Sequence, residues 1–291
     1  MSVTEKITII DPHIHLFNLK QGDYHWLKAN NPPYWPDKTN IAHNFTEQDL
    51  SLKSPLSLAG FIHIEAGFDN NKPWREIAWL EQHCRQPFRS IAFIDLQQDS
   101  QTFKIQLGKL LKFQSVIGVR YILDEQALAI LSHKNTVNNI VYLAEKKLLL
   151  EVQMPLTDVK ALQQLIDILN TVAIKAVINH AGFPPRKENL NAWQQWQQAL
   201  NLLAQLPNCF IKCSGWEMNF RDYTFDWVTE VITSCINYFG EQRVMLASNF
   251  PLCNFTSNYQ QLWRDYQQLT LSKQQHKQLN YQNAKVCYQL N

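Results

Sequence analysis

The stretch Ile7-Thr8-Ile9-Ile10-Asp11-Pro12-His13-Ile14-His15 reads as a short β-branched strand, Ile7 to Asp11, running out into polar groups. Runs of the same kind recur along the chain: Ala59 to Glu65, Ser90 to Asp95, Val116 to Ile122, Leu148 to Gln153, Lys175 to His180, Cys209 to Ser214 and Val244 to Asn249. Segments of helical period fit between them, namely Trp74 to Cys84, Gln101 to Lys112, Thr136 to Lys146, Asp158 to Asn170, Ala192 to Gln205 and Phe225 to Phe239. In the fifth of these, Trp193, Trp196, Leu200 and Leu203 recur at spacings of three and four, as a stripe facing a sheet should. Strands that alternate with helices call for a parallel sheet with crossover helices, and eight such strands are the number that closes a barrel. The expected fold is an α/β protein, a (β/α)8 TIM barrel.

The length supports this, since 291 residues suit a barrel of roughly 250, and residues 1–291 are read as a single domain. Apolar residues make up 45% of the chain and charged ones 18%, a balance that favours a packed core over a self-repelling, disordered chain. The 27 basic and 25 acidic residues nearly cancel and form no basic block, which argues against nucleic acid as a partner. The N-terminus lacks the charged, apolar and cleavage regions of a secretory signal, and no run is long enough to span a membrane. Six cysteines without a Cys-x-x-Cys pair read as reduced thiols, so the expected location is the cytoplasm. The Gln-rich stretches at 194–198 and 260–289 keep periodic apolar residues and read as solvent-facing helix surface. The segment from Phe17 to Asn44 breaks the rhythm; with Tyr24, Trp26, Tyr34, Trp35 and Pro32, Pro33 and Pro36, it is a long loop after the first strand, suited to a lid or pocket wall.

In a barrel of this kind the C-terminal strand ends converge on one pocket, and here nearly every one carries a polar group. A period of two places Asp11, His13 and His15 on one face, giving two metal ligands, a general base with a neutral partner, or a buried structural pair. By the same alternation His63 and Glu65 share a face; Glu65 is a base, an orienter or an ion-pair partner. Arg120 clamps a substrate oxygen or stitches neighbouring strands. Gln153 ends the fifth strand, and His180 brings a third imidazole before Ala181-Gly182, where the glycine permits a tight turn. Lys212 and Ser214 share a face, with Cys213 opposite as a small core residue. Asn249 ends the eighth strand with an amide that can hold a water or an oxyanion but cannot take a proton.

In this order the pieces 11–17, 61–66, 118–120, 179–184, 212–215 and 243–251 resemble the amidohydrolase-related (amidohydrolase 2) family, which includes sugar lactonases and pyrone-dicarboxylate lactonase. The resemblance implies that His13, His15 and His180 surround the reacting carbonyl, and that Arg120 binds substrate. It also implies an aspartate, the water-activating base, at the position where this chain has Asn249. The base is then sought in Glu65 or the imidazole cluster, with Asn249 orienting the water. His63, Arg120, Gln153, Lys212 and Trp26 are the expected substrate contacts. His13, His15 and His180 could together hold a divalent ion such as zinc, while some members of the resembled family work without metal, so the cofactor is left open. The leading expectation is a hydrolase that opens a lactone of a small polar substrate. A non-oxidative decarboxylase of the same superfamily and a non-catalytic binder are the alternatives, and a homo-oligomer is left open.

Overall fold

The computed structural model describes residues 6–290; residues 1–5, on which the reading of the N-terminus as leaderless partly rests, and residue 291 lie outside the described residues. Eight strands lie side by side in sequence order, every neighbouring pair parallel: β1 (Ile7–Ile14), β2 (Leu56–Ile64), β3 (Phe88–Phe93), β4 (Val116–Arg120), β5 (Leu149–Val152), β6 (Ala176–Ile178), β7 (Cys209–Cys213) and β8 (Val244–Leu246). The last strand meets the first through backbone bonds from Asn249 N to His13 O (2.9 Å) and from His15 N to Phe250 O (2.6 Å). The architecture is the (β/α)8 barrel.

Helices α1 (Trp74–His83), α2 (Ser100–Leu110), α3 (Ala127–Leu131), α4 (Lys134–Glu145), α5 (Val159–Thr171), α6 (Leu190–Ala204), α7 (Trp216–Asn219) and α8 (Phe225–Phe239) follow the strands. The chain ends in α9 (Tyr259–Tyr266), α10 (Lys273–Lys277) and α11 (Asn283–Cys287). Helix starts are fixed by side chains that satisfy free backbone N–H groups: Asp99 accepts from Gln101 and Thr102, Asp158 from Ala161, and Thr224 from Trp227. The α6 stripe of Trp193, Trp196, Leu200 and Leu203 is buried as its spacing requires. Two short helices, α3 and α7, go beyond the sequence expectation; each occupies a connection outside the six helical segments read from the sequence.

Apart from β1, which runs on from the expected Asp11 to Ile14, the strands are shorter at their C-terminal ends than their β-branched runs suggest. After Ile178 and Leu246 the chain leaves the ladder, and His180, Ala181 and Asn249 take left-handed backbone angles (φ 53°, 50° and 58°). Non-glycine residues in this region carry strain that clusters at functional sites, and the turns carry these side chains over the barrel mouth. Below, Ile10, Ile62, Ile91, Leu149, Val177 and Met245 form a buried layer that also takes in Tyr288 and Leu290 from the C-terminal segment. Among the described residues no helix is long and apolar enough to cross a membrane, and all six cysteines are buried and unbridged.

Candidate active site

The strand ends enclose a cavity of about 790 Å³. Its walls include His15, Glu65, Arg120, Gln153, His180 and Asn249 from the barrel, and Trp26, Pro32, Pro33 and Trp35 from the loop after β1. Phe17 pairs with Phe45 across that loop, Trp26 Nε1 donates to Ala66 O (2.8 Å), and Trp26 and Trp35 meet edge to face at 6.2 Å. Asp37 is held by Arg221 through two bonds, 2.7 and 3.2 Å, and the guanidinium lies over Trp35 and Phe255. The loop is thus a fixed wall.

Three imidazoles gather as their sequence positions suggest. The His13 ring lies 5.1 Å from His15 and 4.7 Å from His180, although only His15 and His180 line the cavity and His13 sits beneath them. Burial is the main cause that drives all three pKa values well below the usual imidazole range, and the cations Arg120 and Lys212 add to it. All three rings are neutral at pH 7, and the tautomers of two follow from their partners. His15 Nδ1 lies 2.8 Å from the carbonyl of Ile64; a carbonyl only accepts, so Nδ1 carries the hydrogen and Nε2 is bare. His13 Nδ1 faces Lys212 Nζ at 3.5 Å; an ammonium only donates, so in His13 the hydrogen is on Nε2. That Nε2 has no hydrogen-bond partner among the described residues. His180 Nδ1 bonds Ser214 Oγ (3.1 Å), and Gly215 makes room for the ring, since a Cβ there would fall 2.3 Å from Nδ1.

Arg120 is the hub of the mouth. It donates to Glu65 Oε1 (2.8 Å) and O (3.0 Å), to Gln153 Oε1 (2.9 Å) and, longer, to Asn179 Oδ1 (3.4 Å). Burial raises the Glu65 carboxyl to about 7, outweighing the adjacent guanidinium. Asn179 passes the network down to Glu151, which accepts two 2.7 Å bonds from Lys212 and one of 2.5 Å from Tyr288.

Three placements correct the sequence reading. Asp11 does not share a face with His13: the register shifts between Asp11 and Ile14, and the carboxylate turns to the backbone N–H of Ser248 (3.1 Å), where burial raises its pKa to about 6. His63 does not share the cavity with Glu65; its Nε2 bonds Glu76 Oε1 on α1 (3.1 Å), while Glu65 turns inward only after β2 has ended. Burial lowers His63 to about 3 and raises Glu76 to about 8, so their contact joins neutral groups rather than ions. Lys212, expected to touch substrate, is fully buried below the cavity, paired with Glu151.

Glu217 is a site residue that the sequence reading misses. It is buried on α7, which starts from the left-handed Gly215 (φ 69°), and its Oε1 accepts a 2.6 Å bond from Asn249 Nδ2. Burial raises the carboxyl to about 7, with the Asn249 bond opposing the rise. The only sequence signal is an acidic residue four positions past the end of the seventh strand.

A parallel eight-stranded barrel with imidazoles, a guanidinium and carboxylates at its C-terminal mouth carries its polar groups where the active sites of TIM-barrel enzymes lie. The chain belongs to the amidohydrolase family, whose pattern it matches over residues 10–290. It is 25% identical to the uncharacterised protein y4mH of Sinorhizobium fredii, over 98% of this chain and 99% of that one. It is 24% identical to L-fucono-1,5-lactonase of Burkholderia multivorans, over 87% and 85% of the two chains. Among solved structures, an amidohydrolase of Burkholderia multivorans with bound HEPES superposes with a TM-score of 0.80 at 19% identity, over 98% of this chain and 100% of that one. A second crystal form with zinc bound gives 0.79 at the same identity and coverage.

As their rings lie, His13, His15 and His180, which the sequence left open as zinc ligands, do not present a ligand set for the ion. Among the described residues no three His, Cys, Asp or Glu side chains gather as a ligand set. The Lys212 ammonium beside His13 Nδ1 keeps a hydrogen on Nε2, which leaves that ring no lone pair for a metal. The strand-eight end, moreover, carries a neutral amide.

Proposed function

We propose that the protein hydrolyses the ring ester of a small, neutral, polyhydroxylated lactone. The observation that carries this is His15: its Nδ1–H is fixed on Ile64 O, and its bare Nε2 faces the cavity beside Arg120 and Asn249. Water held between His15 Nε2 and Asn249 Oδ1 attacks the lactone carbonyl carbon, and its proton passes to His15 Nε2. Arg120 steadies the negative charge that develops on the carbonyl oxygen. The ring C–O bond then breaks, and His15 returns the proton to the departing oxygen, giving a hydroxy acid. A depressed pKa keeps His15 unprotonated at neutral pH and thus available as the acceptor.

Charge points to a neutral substrate. The Arg120 guanidinium already faces Glu65, and Asp124 and Glu125 also line the cavity, so no unpaired cation waits for a substrate carboxylate. Gln153 and Asp124, joined at 3.2 Å, suit hydroxyl groups, and Trp26 and Trp35 suit a ring face. The resemblance to L-fucono-1,5-lactonase supports the same reading. The same charge balance disfavours a decarboxylase, which must seat a carboxylate.

The test is acid release, followed with a pH indicator, from a panel of neutral sugar lactones and a dicarboxylated pyrone, with carbon dioxide measured in parallel on carboxylated phenols. Turnover of a neutral lactone above the spontaneous rate is expected. Turnover confined to the dicarboxylate, or release of carbon dioxide, would reject this reading, and binding without turnover of any compound would favour a non-catalytic binder.

A further inference from the structure

Asn249 lies three residues beyond the end of β8, in the cavity wall, and its two polar atoms have unequal surroundings. Nδ2 donates to Glu217 Oε1 at 2.6 Å, whereas Oδ1 is buried with no hydrogen-bond partner among the described residues. Buried polar atoms are rarely left unpaired, so an unpaired acceptor on a residue that lines the cavity points to a small donor, such as a water, that reaches it from there. The left-handed backbone at 249 (φ 58°) tolerates Asn and Asp alike and does not select between them. Glu217 does: an aspartate at 249 would set two carboxylates in contact, and such a pair cannot both ionise.

We infer that Glu217, on α7, supplies from a second element the carboxylate that the strand-eight end lacks. It acts as a positioning residue, fixing the Asn249 amide with Oδ1 toward the cavity and strengthening that oxygen as an acceptor for the attacking water. In its ionised form, which the bond from Asn249 favours against burial, the Glu217 carboxyl only accepts, so it dictates which end of the amide turns inward. A charge-assisted bond also polarises the amide, adding negative charge at Oδ1. Glu217 is itself held in place: it is buried, and its backbone carbonyl receives Arg221 Nη1, the same side chain that anchors Asp37 of the loop. The inference rests on the hydrolytic reading for the role of the water, but the orientation of the amide does not depend on it.

The test uses Glu217→Gln, Asn249→Asp and the double exchange. The side chain introduced by Glu217→Gln still accepts from Asn249 but carries no charge, so kcat is expected to fall about tenfold or more with KM and Tm little changed. Asn249→Asp alone is expected to be equally impaired, because two acids then share the site, whereas the double exchange restores an amide–carboxylate pair and recovers most of kcat. Independently of any lactone, one side-chain amide proton of Asn249 should resonate far downfield in the ¹H–¹⁵N spectrum of the wild-type protein and return to the ordinary range in Glu217→Gln. Wild-type kcat in Glu217→Gln, or a double exchange no better than either single variant, would overturn the inference, as would an ordinary Asn249 amide signal in the wild type. If no lactone is turned over, the hydrolytic reading fails, while the amide signal still decides whether Glu217 orients Asn249.

Discussion

Replacing Arg120 with methionine removes the guanidinium and leaves the Glu65 carboxyl, which is 4% exposed, without its partner. Breaking a buried ion pair from one side costs about 3–5 kcal/mol, an upper figure here because a carboxyl already raised to about 7 beside Arg120 can take up a proton once the guanidinium is gone. An unfolding entropy near 2.1 cal/mol/K per residue amounts to roughly 0.6 kcal/mol/K for a chain of this length, so Tm should fall by at most about 5–8 °C. The catalytic loss is separate: a donor that stabilises a developing oxyanion is worth ~10²- to 10³-fold in kcat. The double variant Arg120→Met with Glu65→Gln divides the two effects. With an amide in place of the carboxyl nothing at that position can ionise, so the penalty of an unpaired buried carboxyl disappears, most of all at alkaline pH where it would be charged, and the Tm lost to it returns, but the oxyanion donor is still missing and kcat stays low. Differential scanning fluorimetry and initial rates on the fastest neutral lactone measure the two quantities. If kcat recovers together with Tm in the double variant, Arg120 is only the partner of Glu65 and has no direct part in the reaction.

Other perturbations give independent checks. Glu76 is raised by burial to about 8, so between its unfolded value near 4.5 and 8 the folded state holds the extra proton, and linkage makes its contribution to stability decline as pH rises through that window. Glu76→Gln keeps an acceptor for His63 and for Ala66 N–H but cannot titrate; its Tm relative to wild type should therefore climb from pH 5 to pH 8, and a constant difference would refute the shift. Asp37→Asn loosens the partly exposed latch to Arg221, so KM should rise a few-fold, ~1 kcal/mol at most, with kcat nearly unchanged; a large fall in kcat would place the latch in the chemistry. Because no step uses a metal ion, turnover should survive exhaustive chelation, and loss of activity restored by zinc would contradict the tautomer assigned to His13.

The barrel was legible because its signals are local and repeated: β-branched runs, amphipathic helices between them, and polar residues where each run stops. The same punctuation located His15, Glu65, Arg120, Gln153, His180 and Asn249, all of which line the cavity. Alternation failed where the backbone departs from a regular ladder. The shift after Asp11 turns that carboxylate to Ser248, and the end of β2 at Ile64 separates Glu65 from the face that carries His63. Lys212 occupies the inward face expected of it but lies one layer too deep, because Glu151 and Tyr288 draw it toward the barrel floor. Glu217 could not be read at all, since it reaches Asn249 only through the turn begun by Gly215, a contact between loop ends that periodicity does not encode. The histidine tautomers likewise depend on a carbonyl and an ammonium brought in from other strands.

The most direct measurement is the ¹⁵N spectrum of the histidine side chains at pH 7, assigned by single His→Gln variants. His15 should show a protonated Nδ1 and a bare Nε2, as its bond to Ile64 O requires, and His13 should show the reverse, as Lys212 requires. A His15 ring protonated at Nε2, or at both nitrogens, would leave the water without its acceptor and contradict the proposed reaction.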